Sequence, residues 1–153
     1  MKKIFIIILV SVFPSILFSQ IKVLDNEKPI TVGKVGGGST SPFVASLEYS
    51  KGSGDIGTYT LLYNNLRYTT IEDINSIVFT ATKVELENLY VILKNCFLED
   101  SGNEKQIELG KELVIVKTIK NFGVKSLQIT TTDEGSTGFF FLSSKQLEKL
   151  FGK

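Results

Sequence analysis

Thr82-Lys83-Val84-Glu85 marks the start of a helix, and that start constrains what the rest of the chain can fold into. At this spacing the Thr82 hydroxyl and the Glu85 carboxylate each satisfy a free backbone N–H in the first turn. Behind it Leu86, Leu89, Tyr90, Leu93, Cys96 and Phe97 recur at helical spacing, while Glu87, Asn88, Lys94 and Asn95 fall largely off that stripe. Residues 83–97 are therefore predicted as an amphipathic helix that must lie on an apolar surface. A second capping box, Ser143-Ser144-Lys145-Gln146, has Leu142 and Leu147 at the staple positions. It opens a short terminal helix carrying Leu147, Leu150 and Phe151, with Gly152 placed to end it.

Outside these helices, from Thr58 onward, the chain takes the period of two that strands require. Tyr59, Leu61 and Tyr63 alternate with Thr58, Thr60 and Leu62. Asn64-Asn65 reads as a turn, with strands following at 66–70 and 76–80. After the first helix, strands are expected at 106–109, 112–118, 124–132 and 137–142, joined by turns at Gly110-Lys111, 120–123 and 133–136. Short turns make consecutive strands antiparallel. The expected fold is α+β: a single curved antiparallel sheet with two amphipathic helices on one face, in the order strands, helix, four strands, helix. No internal repeat stands out along the chain.

The start of the chain carries an address. Lys2 and Lys3 precede an apolar run over 4–10 that extends past Ser11 to Val12 and Phe13, before Pro14 and the exit Phe18-Ser19-Gln20. This is the charged, apolar and small-residue order of a secretory signal peptide at 1–19. Leu17 is not small, which leaves an uncleaved anchor as the alternative. Glycines and serines at 33–41 and 50–57 read as a flexible lead-in over 20–56, with the α+β domain at 57–153.

The Leu-Phe-Ser-Gln junction at 17–20 and the ending Phe-Phe-Phe-Leu-Ser-Ser-Lys-Gln-Leu-Glu-Lys-Leu-Phe-Gly-Lys at 139–153 resemble small exported proteins of unknown function from Bacteroidota-type bacteria. The resemblance spans the signal and residues 57–153. It implies export to the periplasm or the extracellular space, and it carries no site residues.

Composition removes several chemistries. The chain has no histidine, which excludes Ser-His-Asp and Cys-His catalysis and His-ligated zinc. Its 17 Lys and Arg against 16 Asp and Glu give +1, and losing Lys2 and Lys3 turns that to −1. A near-neutral domain is not an electrostatic binder of nucleic acid or of an anionic membrane surface. One cysteine, Cys96, forms no internal disulfide, and its place on the apolar stripe reads as a buried thiol.

Three further motifs have ordinary explanations. Gly33-Lys34-Val35-Gly36-Gly37-Gly38-Ser39-Thr40 resembles a phosphate loop but has Ser39 where the lysine must stand. Glu99, Asp100, Asn103 and Glu104 crowd oxygen ligands into one loop without a recognised calcium spacing. Asp133-Glu134 would supply half of a glycosidase carboxylate pair, but Asp-Glu-Gly-Ser is also common hairpin chemistry. No cofactor and no metal are expected.

Phe139-Phe140-Phe141-Leu142 is apolar on both strand faces, more than the helices need to cover. One face must meet the helices, and the other is either covered by the 20–56 segment or exposed. An exposed aromatic surface would have Tyr59, Tyr63, Tyr68 and Phe140 as its candidate binding residues. The expected function is an exported, non-enzymatic binding domain for an envelope or extracellular protein or glycan, with no membrane span after cleavage. A carboxylate-based hydrolase acting on envelope polysaccharide and a structural envelope component are the alternatives. The signal reading predicts a mature chain beginning at Gln20. Intact mass of the protein recovered from the envelope fraction checks this, and retention of residues 1–19 would make the chain membrane-anchored instead.

Overall fold

The structure, a computed structural model, describes residues 28–36, 42–68, 70–133 and 136–153. The expected signal peptide, the centre of the glycine-rich stretch and Glu134 lie outside them. The first strands are β1 (Ile30–Val35), β2 (Ala45–Lys51), β3 (Ile56–Asn64) and β4 (Ile74–Thr82), followed by helix α1 (Lys83–Cys96). Then come β5 (Glu104–Leu109), β6 (Glu112–Asn121), β7 (Val124–Asp133) and β8 (Ser136–Ser143), followed by α2 (Ser144–Leu150). All sheet neighbours are consecutive and antiparallel.

The α+β class and the two helices are as expected, but the single curved sheet is two four-stranded sheets, β1–β4 and β5–β8. The reason lies in the connection. β4 runs straight into α1, and a 14-residue helix carries the chain about 20 Å away before β5 begins. β5 therefore starts a new meander instead of pairing with β4.

The first sheet also corrects the reading of its own strands. Residues 30–35 and 45–51, expected in a flexible lead-in, are β1 and β2. β3 pairs back onto β2, with Tyr59 opposite Tyr49, Leu61 opposite Leu47 and Tyr63 opposite Ala45. Of residues 66–70, expected as a strand, the described residues 66–68 and 70 belong instead to the β3–β4 connection. Glycine density suggested a linker, yet Gly33 is required by packing. A Cβ there would stand 2.1 Å from the Lys149 carbonyl oxygen, where α2 crosses β1.

An internal repeat emerges that the strand pattern concealed. Each half is four meandering strands and a helix. Thr82-Lys83-Val84-Glu85-Leu86-Glu87-Asn88-Leu89-Tyr90 corresponds step for step to Ser143-Ser144-Lys145-Gln146-Leu147-Glu148-Lys149-Leu150-Phe151. Both N-caps sit at nearly identical backbone angles, φ −77° and ψ 165° for Thr82 against −78° and 165° for Ser143, and both capping boxes are complete.

The two halves brace one another. α1 packs on β4 and also on β6, and α2 packs on β8 and also on β1 and β2. Leu89, Leu93, Leu147 and Leu150 enter one continuous core with Leu47, Ile77, Val116, Leu127 and Leu142. The Thr118 hydroxyl donates to the Cys96 carbonyl at 2.7 Å, tying the end of α1 to the second sheet. Lys125 donates to the carbonyls of Phe97 and Glu99 at 2.9 and 2.7 Å, neutralising orphan acceptors beyond that helix end.

Sheet edges invite wrong pairing unless blocked. β1 carries a bulge between Thr31 and Gly33 and lies under α2. β5 carries Glu104, Lys105 and Glu108. On β8, Leu66 N–H donates to the Phe139 carbonyl at 2.9 Å. On β4, at the corresponding residue Val78, Gly110 comes so close that a Cβ would stand 2.3 Å from the Val78 carbonyl oxygen.

Because the two capped junctions are equivalent, Thr82→Ala and Ser143→Ala should each lower stability by about 1 kcal/mol. Leu147→Ala, fully buried at the second junction, should cost about 2–5 kcal/mol. Urea denaturation checks all three, and a neutral Leu147→Ala would contradict the packing of α2.

Candidate functional site

The second capped junction decides where the aromatic run points. Leu142 precedes the N-cap Ser143, so its side chain must meet the helix it staples, and it is fully buried. Alternation then sends Phe140 inward, also fully buried, and turns Phe139 and Phe141 outward, where they are half-buried and outside the core cluster. Their rings lie 5.6 Å apart at 67°.

Two rows of side chains cross the outer face of the second sheet from this pair. Phe139 sits opposite Thr130, which sits opposite Ile115, which sits opposite Gln106. Phe141 leads likewise through Gln128 and Lys117 to Glu104. Lys117 and Glu104 form an ion pair at 2.7 Å, and the Gln128 amide donates to the Thr130 hydroxyl at 3.4 Å. The face is thus aromatic at one edge, mixed in the middle and charged at the other edge.

Of the four expected binding residues, three are core. Tyr59 and Tyr63 are each 3% exposed and Phe140 is 0% exposed. Tyr59 stacks on Phe79 at 5.6 Å, its cross-strand partner on the inner face. Tyr63 stacks on Phe140 at 4.8 Å, and its hydroxyl shares a 2.6 Å hydrogen bond with Thr131 across the two sheets. Strand alternation places all three against the opposing sheet, so they present no outward surface. Burial raises the pKa of both phenols above the usual 10.0.

Tyr68 is different: it is 52% exposed, with the Arg67 guanidinium 6.0 Å from its ring centroid. Its loop is pinned against β8 by Asn65, which is 4% exposed. The Asn65 carbonyl oxygen accepts from the N–H groups of Arg67 and Phe139, each at 3.1 Å. Its amide nitrogen donates to Asp73 at 2.9 Å. Arg67 in turn donates to the Thr137 carbonyl at 3.5 Å. Leu66, Arg67 and Tyr68 therefore project beside Phe139, and Asn65, read from sequence as a plain hairpin turn, holds them there.

Elsewhere the geometry offers less. The enclosed void between the sheets measures about 30 Å³ and is lined by Leu61, Phe79, Leu93, Val114 and Ile129 among other apolar groups. It has room for a water molecule but no polar partner to hold one. An open groove of about 280 Å³ between α1 and the edges of β4 and β5 carries Glu85 and Glu108. Glu85 is occupied as a cap, accepting from the Thr82 N–H at 2.7 Å and hydroxyl at 2.9 Å. Those bonds hold its carboxyl below the usual range, the reverse of what a general acid requires.

In the acidic loop, Glu99 pairs with Lys105 at 2.6 Å and Glu104 with Lys117. Among the described residues no cluster of three or more Cys, Asp or Glu is arranged to hold a metal ion. Nor is any helix among them long and apolar enough to cross a membrane. Cys96 is buried, donates to the Ile92 carbonyl at 3.3 Å, and has its thiol pKa pushed up by burial. Comparison with protein-family models, with curated proteins and with solved structures finds no match to this chain.

The buried phenols give a sign-definite pH test. Tyr59 and Tyr63 are neutral in the fold and would ionise near pH 10 in the unfolded chain. Their contribution is fully present below that pH and is lost as pH rises towards the higher folded values. Stability should fall above pH 10, less steeply in Tyr59→Phe and Tyr63→Phe variants. Tyrosinate absorbance followed alongside unfolding checks this, and normal ionisation of all five tyrosines in the folded chain would contradict their burial.

Proposed function

We propose that this chain is an exported, non-enzymatic binding domain that engages an envelope or extracellular protein or glycan through the outer face of its second sheet. The observation that carries the reading is the outward pair Phe139 and Phe141 on a strand whose alternate residues already fill the core. Two phenylalanines on an outer face add nothing to that core, whereas burying aromatic surface against a partner is a common source of binding energy. Exposed Tyr68 and Arg67 beside Phe139 extend the surface with residue types frequent at binding hot spots. The polar middle of the face supplies amide and hydroxyl groups at Gln128 and Thr130 for hydrogen bonding.

The hydrolase alternative is less well supported, because the groove carboxylate Glu85 is held ionised by its cap. Export rests on the signal-like start of the chain.

Capture from envelope extract by the full chain tests the proposal when variants are compared. Phe139→Ser and Phe141→Ser should each weaken capture by about tenfold or more, with little change in melting temperature. Phe140→Ala should instead destabilise the fold by about 3–5 kcal/mol. Undiminished capture by the Phe139→Ser, Phe141→Ser double variant would overturn the proposed face.

A further inference from the structure

We propose that the β6–β7 turn is a membrane-docking tip that seats Phe122 in the interface of an anionic lipid bilayer. The turn has two residues, with Asn121 paired to Val124 across it. Phe122 has φ 49° and Gly123 has φ 84°. Positive φ at both central residues is the requirement of a type I′ hairpin turn, whose usual occupants are Asn and Gly. A phenylalanine is sterically disfavoured in that backbone conformation. It gains no compensating contact within the chain, since its relative exposure is 107%.

Other exposed apolar residues share this end of the second sheet. Val124 is 61% exposed and Leu98 is 81% exposed. Lys125, next to Val124, reaches the carbonyls of Phe97 and Glu99, the two residues flanking Leu98. Lys120 and Lys125 stand directly opposite each other at the base of the turn. The Lys125 ammonium is held by those carbonyls of Phe97 and Glu99, which leaves Lys120 as an exposed cation at the base of the turn. The acidic neighbour Glu99 is ion-paired with Lys105 at 2.6 Å.

A left-handed phenylalanine and exposed apolar side chains each work against folding at the same tip. Each becomes favourable at an anionic lipid surface. The ring and the aliphatic groups partition into the headgroup–acyl boundary, and exposed Lys120 extends along it to the phosphates, a local attraction that the near-neutral net charge of the chain does not supply. Shape selects this occupant over a protein. A hairpin turn is convex, and a bilayer accepts a protrusion without a matching pocket. Three apolar side chains give shallow, reversible docking. The tip shares no residue with the Phe139 face, so the two proposals stand or fall separately.

The chain contains no tryptophan, so Phe122→Trp places a single fluorophore at the tip. With the full chain, vesicles of phosphatidylglycerol and phosphatidylcholine should shift its emission to shorter wavelength, and vesicles of phosphatidylcholine alone should shift it less. The reporter reads the tip itself, whatever the N-terminal apolar run does. Phe122→Asn restores the favoured turn residue, so it should raise the melting temperature while lowering the tip-dependent vesicle binding by about tenfold. Lys120→Glu should weaken binding to the anionic vesicles selectively. Unchanged tryptophan emission in the presence of vesicles, or a Phe122→Asn chain that binds them as wild type does, would overturn the proposal.

Discussion

The capped strand-to-helix junction is the constraint from which the rest of this structure follows. Thr82 with Glu85, and Ser143 with Gln146, each end a strand and begin a helix within one residue. The residue before each cap, Ala81 or Leu142, must then point at the core. Because a strand alternates strictly, that one orientation propagates backwards. It sends Ile77 and Phe79 inward on β4 and Phe140 inward on β8, leaving Val78, Phe139 and Phe141 on the outside. Across the ladder it also turns Tyr59 inward, opposite Phe79.

Two such junctions make two half-domains, and neither half covers its own sheet alone. Each helix reaches across to the other sheet. The stacking of Tyr63 on Phe140 and the hydrogen bond from its hydroxyl to Thr131 join the sheets directly. Lys94 on α1 pairs with Glu148 on α2 at 2.9 Å, and Tyr90 meets Phe151 with ring centroids 5.5 Å apart. The Lys94 ammonium, donating to Tyr90 and Glu148, has its pKa pushed up to about 12. That pair is solvent-exposed, so it orients the helices more than it stabilises them. The interior is consumed by this bracing, which leaves the outer faces and the turns as the places where chemistry can meet a partner.

The helices and their caps were legible because a capping box followed by an apolar stripe has one physical reading. The second half was legible because its turns are short and its strands alternate cleanly. The first half was not. Glycines at 33, 36, 52, 54 and 57 resemble a linker by composition, and only the fold reveals that Gly33 lies against α2 and Gly57 against the Tyr49 ring. A tether at 20–56 leaves β3 without its true partner β2, so by sequence its nearest pairing is the false one with 66–70. That false pairing gives Tyr59 and Tyr63 no covering layer, whereas both are buried in the fold. For Phe140 the inward direction is already implied in the sequence, since the staple residue Leu142 fixes the alternation of the strand. Nothing local in the sequence signals that Asn65 pins its loop to β8, because its partners at Asp73 and Phe139 are brought together only by the tertiary fold.

The most direct test of the account is thiol labelling of cysteines placed singly at 139, 140 and 141, in a chain with Cys96 replaced by serine. The account predicts rapid labelling in the folded protein at 139 and 141, and labelling at 140 only at the rate of unfolding. Rapid labelling at 140 with protection at 139 and 141 would place the opposite face of β8 outward and contradict both the junction argument and the proposed binding face.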